Sequence, residues 1–290
     1  MQSSKGNPLK NVGIISKPSK PELQGIVREL LEWLGAHGYQ AVIDEETAEY
    51  LSHEKVIPRH QFCKEKLEFV IVLGGDGTLL SAARCVNAAE IPILAVNLGS
   101  LGFLTEVPLA ELIATLEEVH KGSCPVDWRS VIDCELVRGG KSLAHYSALN
   151  EIVVAKTEIA RLVTLRLEIN SNFVYTSRAD GLIVGTPTGS TAYSLSAGGP
   201  VMMPHVDAFL ITPICSHSFT QRPLVTRDDA VVEVVVESDG ETCFLSVDGQ
   251  VGEPLDHHDR IICRKAQHKV KLLRTKRSFF EVLHNKLKWG

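Results

Sequence analysis

The segment Gly74–Thr78 reads Gly-Gly-Asp-Gly-Thr and has the residue types and spacing for phosphate chemistry. An apolar run, Phe69–Leu73, precedes it, and a helix-compatible segment, Thr78–Ala89, follows it. A strand, a glycine turn and a helix bring backbone N–H groups and a helix N-terminus up to a phosphate. Glycine permits that close approach. A carboxylate in such a cradle repels phosphate, so Asp76 is predicted to hold a hydroxyl or a metal.

The same loop also fits a purely structural turn. It is not the GxxxxGK[ST] phosphate loop, because no Lys-Ser or Lys-Thr follows it, and it is not GxGxxG. Its interpretation therefore depends on what else the chain carries.

A second group of candidate binding residues lies between Arg178 and Pro200. The stretch from Gly185 to Ser196 contains eight small hydroxyl or glycine residues, and Thr188-Gly-Ser190 is predicted to open a short helix from Thr191. An N-capped helix in a loop-rich crossover is the structural alternative. Beside Asp180 and the separate glycine loop, the pattern favours a ligand cleft between two domains.

The elements that must position the glycine loop alternate between strand and helix over the first ~120 residues. The predicted strands are Val12–Ser16, Tyr39–Ile43, Phe69–Leu73 and Ile91–Val96, and apolar residues at helical spacing run from Leu23 to Leu34 and from Leu109 to Val119. This alternation predicts a parallel, doubly wound sheet. Ligands bind such sheets at the carboxyl ends of the strands, where both the Gly74–Gly77 loop and the segment Asn97–Phe103 lie.

After Trp128 the pattern becomes that of consecutive strands. The predicted strands are Val131–Arg138, Leu143–Val154, Leu162–Ile169, Phe173–Thr176, Leu182–Val184, Val231–Val236, Thr242–Val247 and Lys269–Arg274. The predicted fold class is therefore α/β plus all-β, with an α/β domain over 1–124 and a β-rich domain over 125–275. A helical tail over 276–290 is predicted to pack back on the N-terminal domain.

Composition excludes several classes of protein. The chain has 290 residues and a net charge of −5 with scattered basic residues, which gives no electrostatic footprint for nucleic acid. No apolar run approaches a membrane span, and the polar start predicts no signal peptide. Seven cysteines without a CxxC pair favour a reduced, cytoplasmic location. The histidines lack metal-ligand spacing, so no protein-bound metal site is expected.

Several motifs together resemble the NAD kinase family. They are Gly74–Thr78, Asn97-Leu-Gly-Ser-Leu-Gly-Phe103, Asn150-Glu151, Asp180-Gly181, Thr186-Pro-Thr-Gly-Ser-Thr-Ala-Tyr193 and Asp248-Gly-Gln250. The glycine loop is shared with diacylglycerol kinases, sphingosine kinases and phosphofructokinases, whereas the run ending at Tyr193 is highly specific for the NAD kinase family. The resemblance spans nearly the whole chain, and Gly185 stands where many members have serine.

The resemblance implies phosphoryl transfer from ATP, or polyphosphate, to the 2′-hydroxyl of the adenosine ribose of NAD. The family's catalytic carboxylate matches Asp76, which would accept the hydroxyl proton. Mg²⁺ would arrive with ATP, and the protein would be a homo-oligomer, either a tetramer or a dimer. The residues implied to bind substrate are Gly75, Gly77, Phe103, Asn150, Glu151, Arg161, Arg178, Asp180, Thr188, Thr191, Ala192, Tyr193, Ser194, Ser196 and Gln250.

Some of these residues have equally good structural interpretations. Arg161 and Arg178 could be solvated charges at strand ends, and Phe103 could belong to the core. His217 is expected to have a structural role.

Three rival functions remain open at this point. A lipid or sphingoid kinase is disfavoured because no amphipathic membrane stripe is present. A non-catalytic dinucleotide sensor would not need Asp76 as a base. An NAD(P)-dependent oxidoreductase is disfavoured because no GxGxxG follows the first strand.

Overall fold

The computed structural model describes residues 10–17, 20–99, 101–157, 162–238, 243–275 and 277–288, without the side chain of Asn87. The chain forms two compact units: residues up to 128 together with those from 270 onward make unit 1, and residues 129–269 make unit 2. These units are defined by compactness alone. The predicted domain boundaries, after residue 124 and after residue 275, therefore stay a prediction.

The described residues form twenty strands. In chain order they are β1 (Lys10–Ser16), β2 (Tyr39–Asp44), β3 (Val56–Ile57), β4 (Leu67–Gly74), β5 (Ile93–Asn97), β6 (Val107–Pro108), β7 (Val126–Arg129), β8 (Ile132–Arg138), β9 (Lys141–Ala148), β10 (Glu151–Lys156), β11 (Val163–Ile169), β12 (Asn172–Ala179), β13 (Gly181–Gly185), β14 (Ala208–Ile214), β15 (Leu224–Arg227), β16 (Val232–Val236), β17 (Cys243–Val247), β18 (Val251–Leu255), β19 (Arg260–Lys265) and β20 (Val270–Leu273).

The same residues form six α-helices and four short 3₁₀ turns. The helices are α1 (Leu23–Ala36), α2 (Glu45–Ala48), α3 (Asp76–Val86), α4 (Leu112–His120), α5 (Tyr193–Ser196) and α6 (Phe279–Leu287). The 3₁₀ turns are Arg59–Lys64, Asn87–Ala89, Leu109–Glu111 and Thr188–Thr191. None of the helices in these described segments is long and apolar enough to cross a membrane.

Unit 1 is built on a sheet with the strand order β3-β2-β1-β4-β5-β20-β7, and β6 pairs with β5. The pairs from β3 through β20 are parallel. Alternate strand residues such as Val12 and Ile71 pack with the apolar stripes of α1 and α4 on one face. On the other face the Phe62 ring comes within 2.8 Å of where a Cβ on Gly13 would lie. The predicted α/β class of this half is confirmed.

Unit 2 consists of two six-stranded sheets in the part of the chain that is described. Their strand orders are β15-β14-β13-β10-β17-β18 and β12-β11-β16-β19-β8-β9, and the paired strands are antiparallel. Both sheets turn apolar side chains into one shared core, for example Leu165 from one sheet and Leu245 from the other. The predicted β-rich class of this half is also confirmed.

One predicted strand, Leu143–Val154, is wrong as a single element. The structure divides it into β9 and β10, with a break at Leu149 and Asn150. The cause is the Asp248 carboxylate, which accepts hydrogen bonds from the backbone N–H groups of residues 149–151 and so turns the chain there. The turn exposes no orphaned donor, because a distant side chain replaces the strand partner.

Other elements were not predicted or began elsewhere. Seven strands were not predicted, namely β3, β6, β7, β14, β15, β18 and β19, and α3 begins at Asp76 rather than at Thr78. The first residue of the predicted strand Thr242–Val247 lies outside the described residues. The seven cysteines are all free thiols.

The close packing of β13 against β10 gives a stability prediction. A Cβ at Gly181 would lie 2.5 Å from the carbonyl oxygen of Val154, which is backbone and cannot swing away. Gly181→Ala should therefore lower the free energy of unfolding by about 1–3 kcal/mol. Gly25 lies at an exposed position of helix α1 with no described atom within 4 Å of an added Cβ, so Gly25→Ala should instead raise it by about 0.5–1 kcal/mol. Urea denaturation of both variants would test this pair, and equal effects would contradict the packing argument.

Candidate active site

The Asp76 carboxylate in unit 1 lies at the junction of β4 and α3 and is held by one turn of backbone. Its Oδ2 accepts from the N–H of Phe103 at 2.9 Å. Its Oδ1 accepts from the N–H of Leu104 at 3.2 Å, and from the N–H and Oγ1 of Thr105 at 3.0 and 2.9 Å. Three donors thus share Oδ1 and one donor binds Oδ2, so Oδ2 keeps an acceptor position open among the described residues.

The turn wraps the carboxylate tightly because it begins at a glycine. A Cβ on Gly102 would lie 2.0 Å from Asp76 Oδ1. Asn97, at the end of β5, donates its Nδ2 to Thr105 Oγ1 at 3.0 Å and so ties the far side of the turn to the sheet. The two segments that the sequence placed at carboxyl ends of strands, 74–77 and 97–103, therefore meet around one carboxylate.

A cavity of about 390 Å³ lies beside the glycine loop in unit 1. Its lining residues are Lys17, Glu46, Arg59, Gly75, Gly77, Thr78 and Ser81. The loop is compact, since the carbonyl of Gly75 accepts from the N–H groups of Thr78 and Leu79. The cavity thus combines the cationic Lys17 and Arg59 and the N-terminus of α3, which attract anionic oxygens, with the Glu46 carboxylate, which pairs with Arg59.

Arg59 is fixed in the wall of this cavity. Its Nε donates to the buried carboxylate of Asp44 at 2.9 Å, its Nη1 donates to Ser81 Oγ at 3.0 Å, and Glu46 forms a further ion pair with its Nη2. Arg59 and Lys17 were not predicted from the sequence, because neither belongs to a recognisable motif.

In unit 2, Asn150 and Glu151 lie at the break between β9 and β10, where both are buried. Asn150 Oδ1 and Glu151 Oε2 have no hydrogen-bond partner among the described residues. Buried polar atoms are seldom left unpaired, so this pair points to donors supplied by a ligand. The backbone of both residues is fixed by Asp248, whose Oδ1 accepts their N–H groups at 2.8 and 3.1 Å.

The charge state of Glu151 is unusual. Burial, together with the nearby charge of Asp248, raises the pKa of Glu151 from 4.5 to about 8. The backbone N–H of Tyr193 opposes this shift by hydrogen bonding to the carboxylate. At neutral pH without a ligand, Glu151 is therefore mostly protonated.

The hydroxyl-rich run packs directly against Asn150. The N–H of Thr186 donates to the carbonyl of Asn150 at 2.8 Å, and a Cβ on Gly189 would lie 2.2 Å from that oxygen. The predicted helix from Thr191 is realised as a 3₁₀ turn over 188–191 followed by α5. Glycine at 189 is thus required by the close approach of two backbone segments.

Members of this run differ in what they can offer a ligand. Thr188 is buried and accepts from Arg129 Nη1 at 3.3 Å, while Ser194 is buried and bonded to Thr212 at 2.8 Å. Ser196 and Tyr193 are exposed, and Tyr193 is exposed over 45% of its surface. Thr191 and Ala192 are half-buried at the junction of the two turns.

The remaining predicted residues of unit 2 are more scattered. Asp180 forms an ion pair with Lys156 Nζ at 2.6 Å, a partner that no sequence signal indicated. Arg178 is exposed on the edge strand β12, and its carbonyl accepts from the N–H of His217 at 3.0 Å. Gln250 is exposed in the turn between β17 and β18. The predicted contact Arg161 lies outside the described residues.

The raised pKa of Glu151 predicts a specific pH dependence of stability. The folded protein binds this proton more tightly than the unfolded chain does. The stabilisation is therefore complete below pH 4.5 and is lost as the pH rises to about 8. The Gln side chain of Glu151→Gln cannot ionise, so this variant does not lose stability as the pH rises. The difference in the free energy of unfolding is worth about 2–5 kcal/mol. The melting temperature of the variant relative to wild type should therefore rise between pH 5 and pH 8.

The matched control is Glu29→Gln, which changes an exposed carboxylate on α1. Its difference from wild type should stay constant across the same range. A constant difference for Glu151→Gln would show that the carboxylate titrates normally.

Comparison with known proteins identifies the family. A model described as the ATP-NAD kinase N-terminal domain matches residues 12–124, and one described as the ATP-NAD kinase C-terminal domain matches residues 149–275. The chain is 56% identical to the NAD kinase of Koribacter versatilis over 97% of this chain and 99% of that protein. It is 47% identical to the NAD kinase of Acidobacterium capsulatum over 97% of this chain and 99% of that one.

Solved structures agree with the sequence comparisons. Yeast NADH kinase complexed with NADH is similar with a TM-score of 0.90 and 28% identity, covering 98% of this chain and 89% of that one. An NAD kinase from Archaeoglobus fulgidus in complex with ATP shares the fold, with a TM-score of 0.77 and 24% identity over 97% of this chain and 100% of that one. With both domain models matched and relatives similar over nearly the whole length, the chain belongs to the NAD kinase family.

Proposed function

We propose that this protein is an NAD kinase, which transfers the γ-phosphoryl group of ATP to the 2′-hydroxyl of the adenosine ribose of NAD and releases NADP and ADP. The relatives named above support the activity. The observation that carries the chemical assignment is the Asp76 carboxylate, fixed by four hydrogen bonds with one acceptor position open on Oδ2.

Asp76 is the proposed base. A secondary alcohol is a poor nucleophile, and a carboxylate within hydrogen-bond reach can take its proton as the oxygen attacks phosphorus. The new bond joins the 2′-oxygen to the γ-phosphorus, and the bond from that phosphorus to the β–γ bridging oxygen breaks. Electrons leave with ADP, and the hydroxyl proton passes to Oδ2.

The donor phosphates are proposed to lie over the loop from Gly74 to Gly77, in the cavity that Lys17 and Arg59 also line. In phosphoryl transfer most of the rate enhancement comes from positioning and from neutralising charge on the phosphate oxygens. The N-terminus of α3 and Lys17 can supply both, and Arg59 shares its charge with the carboxylates of Asp44 and Glu46. The substrate is proposed to be the magnesium complex of ATP, since Mg²⁺ is usually held by phosphates together with one or two carboxylates.

The acceptor is proposed to be held by the unpartnered atoms of unit 2. Ribose hydroxyls can both donate and accept, which suits the Glu151 carboxyl in either protonation state, and an adenine amino group is a donor that suits Asn150 Oδ1. We propose that the other predicted residues complete the contacts with NAD, among them Asp180, Thr191, Tyr193 and Ser196. The protein is further proposed to be cytoplasmic and homo-oligomeric.

A coupled assay tests the function. The protein is incubated with MgATP and NAD, and the product is detected with an NADP-specific dehydrogenase. NADP should form with NAD, whereas an analogue with 2′-deoxyadenosine should give no phosphorylated product by mass spectrometry, because it lacks the attacking oxygen. A phosphorylated 2′-deoxy product would contradict the assigned acceptor atom, and no NADP from NAD would contradict the function.

The role of the base is tested by Asp76→Asn. The amide keeps the shape but cannot take a proton, so kcat should fall by at least ~10²–10⁴ while NAD binding is largely retained. Thermal stability must be measured too, because an amide nitrogen at the Oδ2 position would face the N–H of Phe103. Turnover within a few-fold of wild type would exclude Asp76 as the base.

A further inference from the structure

The turn that holds Asp76 continues into a buried ion pair that the proposed mechanism does not use. Glu106 directly follows Thr105 and is almost completely buried, with 4% of its surface exposed. Arg274 Nη2 donates to Glu106 Oε1 at 2.7 Å, and Arg274 Nε donates to Glu106 Oε2 at 2.9 Å. This two-point contact fixes both the position and the plane of the Glu106 carboxylate.

Arg274 is itself held from two other directions. Its Nη1 donates to Asp127 Oδ2 at 2.9 Å, and its backbone N–H donates to the carbonyl of Pro125 at 3.0 Å. It follows β20, which runs parallel to β5 in the sheet of unit 1. The arginine is therefore anchored to the sheet rather than to a mobile surface.

A second arginine holds the backbone at the same point. Arg277 Nη1 donates to the carbonyl of Glu106 at 3.0 Å, and its Nη2 forms an ion pair with Glu111. Further along, Lys286 on α6 lies 5.7 Å from the ring centroid of Phe103. The C-terminal segment thus contacts both ends of the turn whose N–H groups hold Asp76.

We infer that Glu106 and Arg274 are positioning residues for the phosphoryl transfer: their ion pair sets where the backbone donors of residues 103–105 hold the Asp76 carboxylate. The inference rests on the proposed role of Asp76. Three of the four donors to Asp76 are backbone N–H groups, so a shift of the turn displaces the carboxylate with it. A displacement of about 1 Å in a reacting group can cost ~10²-fold in rate.

Glu106→Gln tests the inference most simply. The amide keeps the volume but removes the charge that Arg274 binds at two points. We expect kcat to fall ~10–100-fold, while KM for NAD and for ATP stays within about threefold, because neither residue is placed in contact with substrate. A fall in melting temperature with unchanged kcat would show that the ion pair is only structural and would overturn the inference.

The chain supplies a matched control in unit 2. Asp259 is completely buried and accepts from Arg138 Nε at 2.8 Å and from Arg138 Nη2 at 2.7 Å, the same two-point geometry. Asp259→Asn removes the equivalent charge far from Asp76 in the sequence and in a different unit. It should lower the melting temperature but leave kcat within about twofold of wild type. Equal kcat losses in the two variants would mean that general destabilisation is responsible.

Arg274→Lys guards against failure of Glu106→Gln to fold. It keeps the positive charge but loses the two-point contact, so it should fold. We expect its kcat to fall by less than that of Glu106→Gln, again with unchanged KM. A folded Arg274→Lys protein with wild-type kcat would overturn the inference on its own.

A double-mutant cycle shows whether Glu106 acts through Asp76. Single-turnover rates are measured for Glu106→Gln, Asp76→Asn and the double variant. If Glu106 serves only to position the Asp76 carboxylate, Glu106→Gln should cost less than about threefold once that carboxylate is gone. Full additivity would overturn the inference. Loss of activity in Asp76→Asn but not in Glu106→Gln refutes only the inference, whereas wild-type activity in Asp76→Asn refutes the proposed role of Asp76 first.

Discussion

The arrangement around Asp76 depends on one interaction, the hydrogen bonds from a single backbone turn to its carboxylate. The glycine loop alone gives only a strand, a turn and a helix N-terminus. The turn over residues 102–105 adds direction, because it saturates Oδ1 and leaves one acceptor position on Oδ2. A base with a single open position can take a proton from only one place, which is what regioselective phosphoryl transfer needs.

Unit 2 uses a carboxylate in the same way. Asp248 gathers the N–H groups of residues 149–151 and breaks a strand at Asn150. That break leaves the side chains of Asn150 and Glu151 buried with open acceptor atoms. The cost of burying them is visible in the raised pKa of Glu151. In our proposal a ligand hydroxyl offsets that cost, so affinity comes from atoms that are poorly satisfied without it.

Much of the fold and of the candidate site could be predicted from the sequence. The features that could not be predicted depend on contacts between residues far apart in the chain. Continuous apolar runs located β1 and β4, which are buried on both faces, and apolar residues at helical spacing located α1, which buries one face. The break at Asn150 escaped because its cause, Asp248, is about a hundred residues away. Lys156, Glu106 and Arg274 escaped because ion pairs between distant segments leave no local pattern. The spacing of residues in the sequence was enough to find the motifs. The residues that hold the motif residues in place could be identified only from the structure.

The most direct measurement is the distance from the adenosine 2′-oxygen of NAD to Asp76 Oδ2 in a crystal of this protein grown with NAD. We expect a hydrogen-bond distance of about 2.6–3.2 Å, with the N–H of Phe103 still bonded to the same oxygen. A 2′-oxygen that instead contacts a different carboxylate, with Asp76 out of reach, would contradict the proposed chemistry.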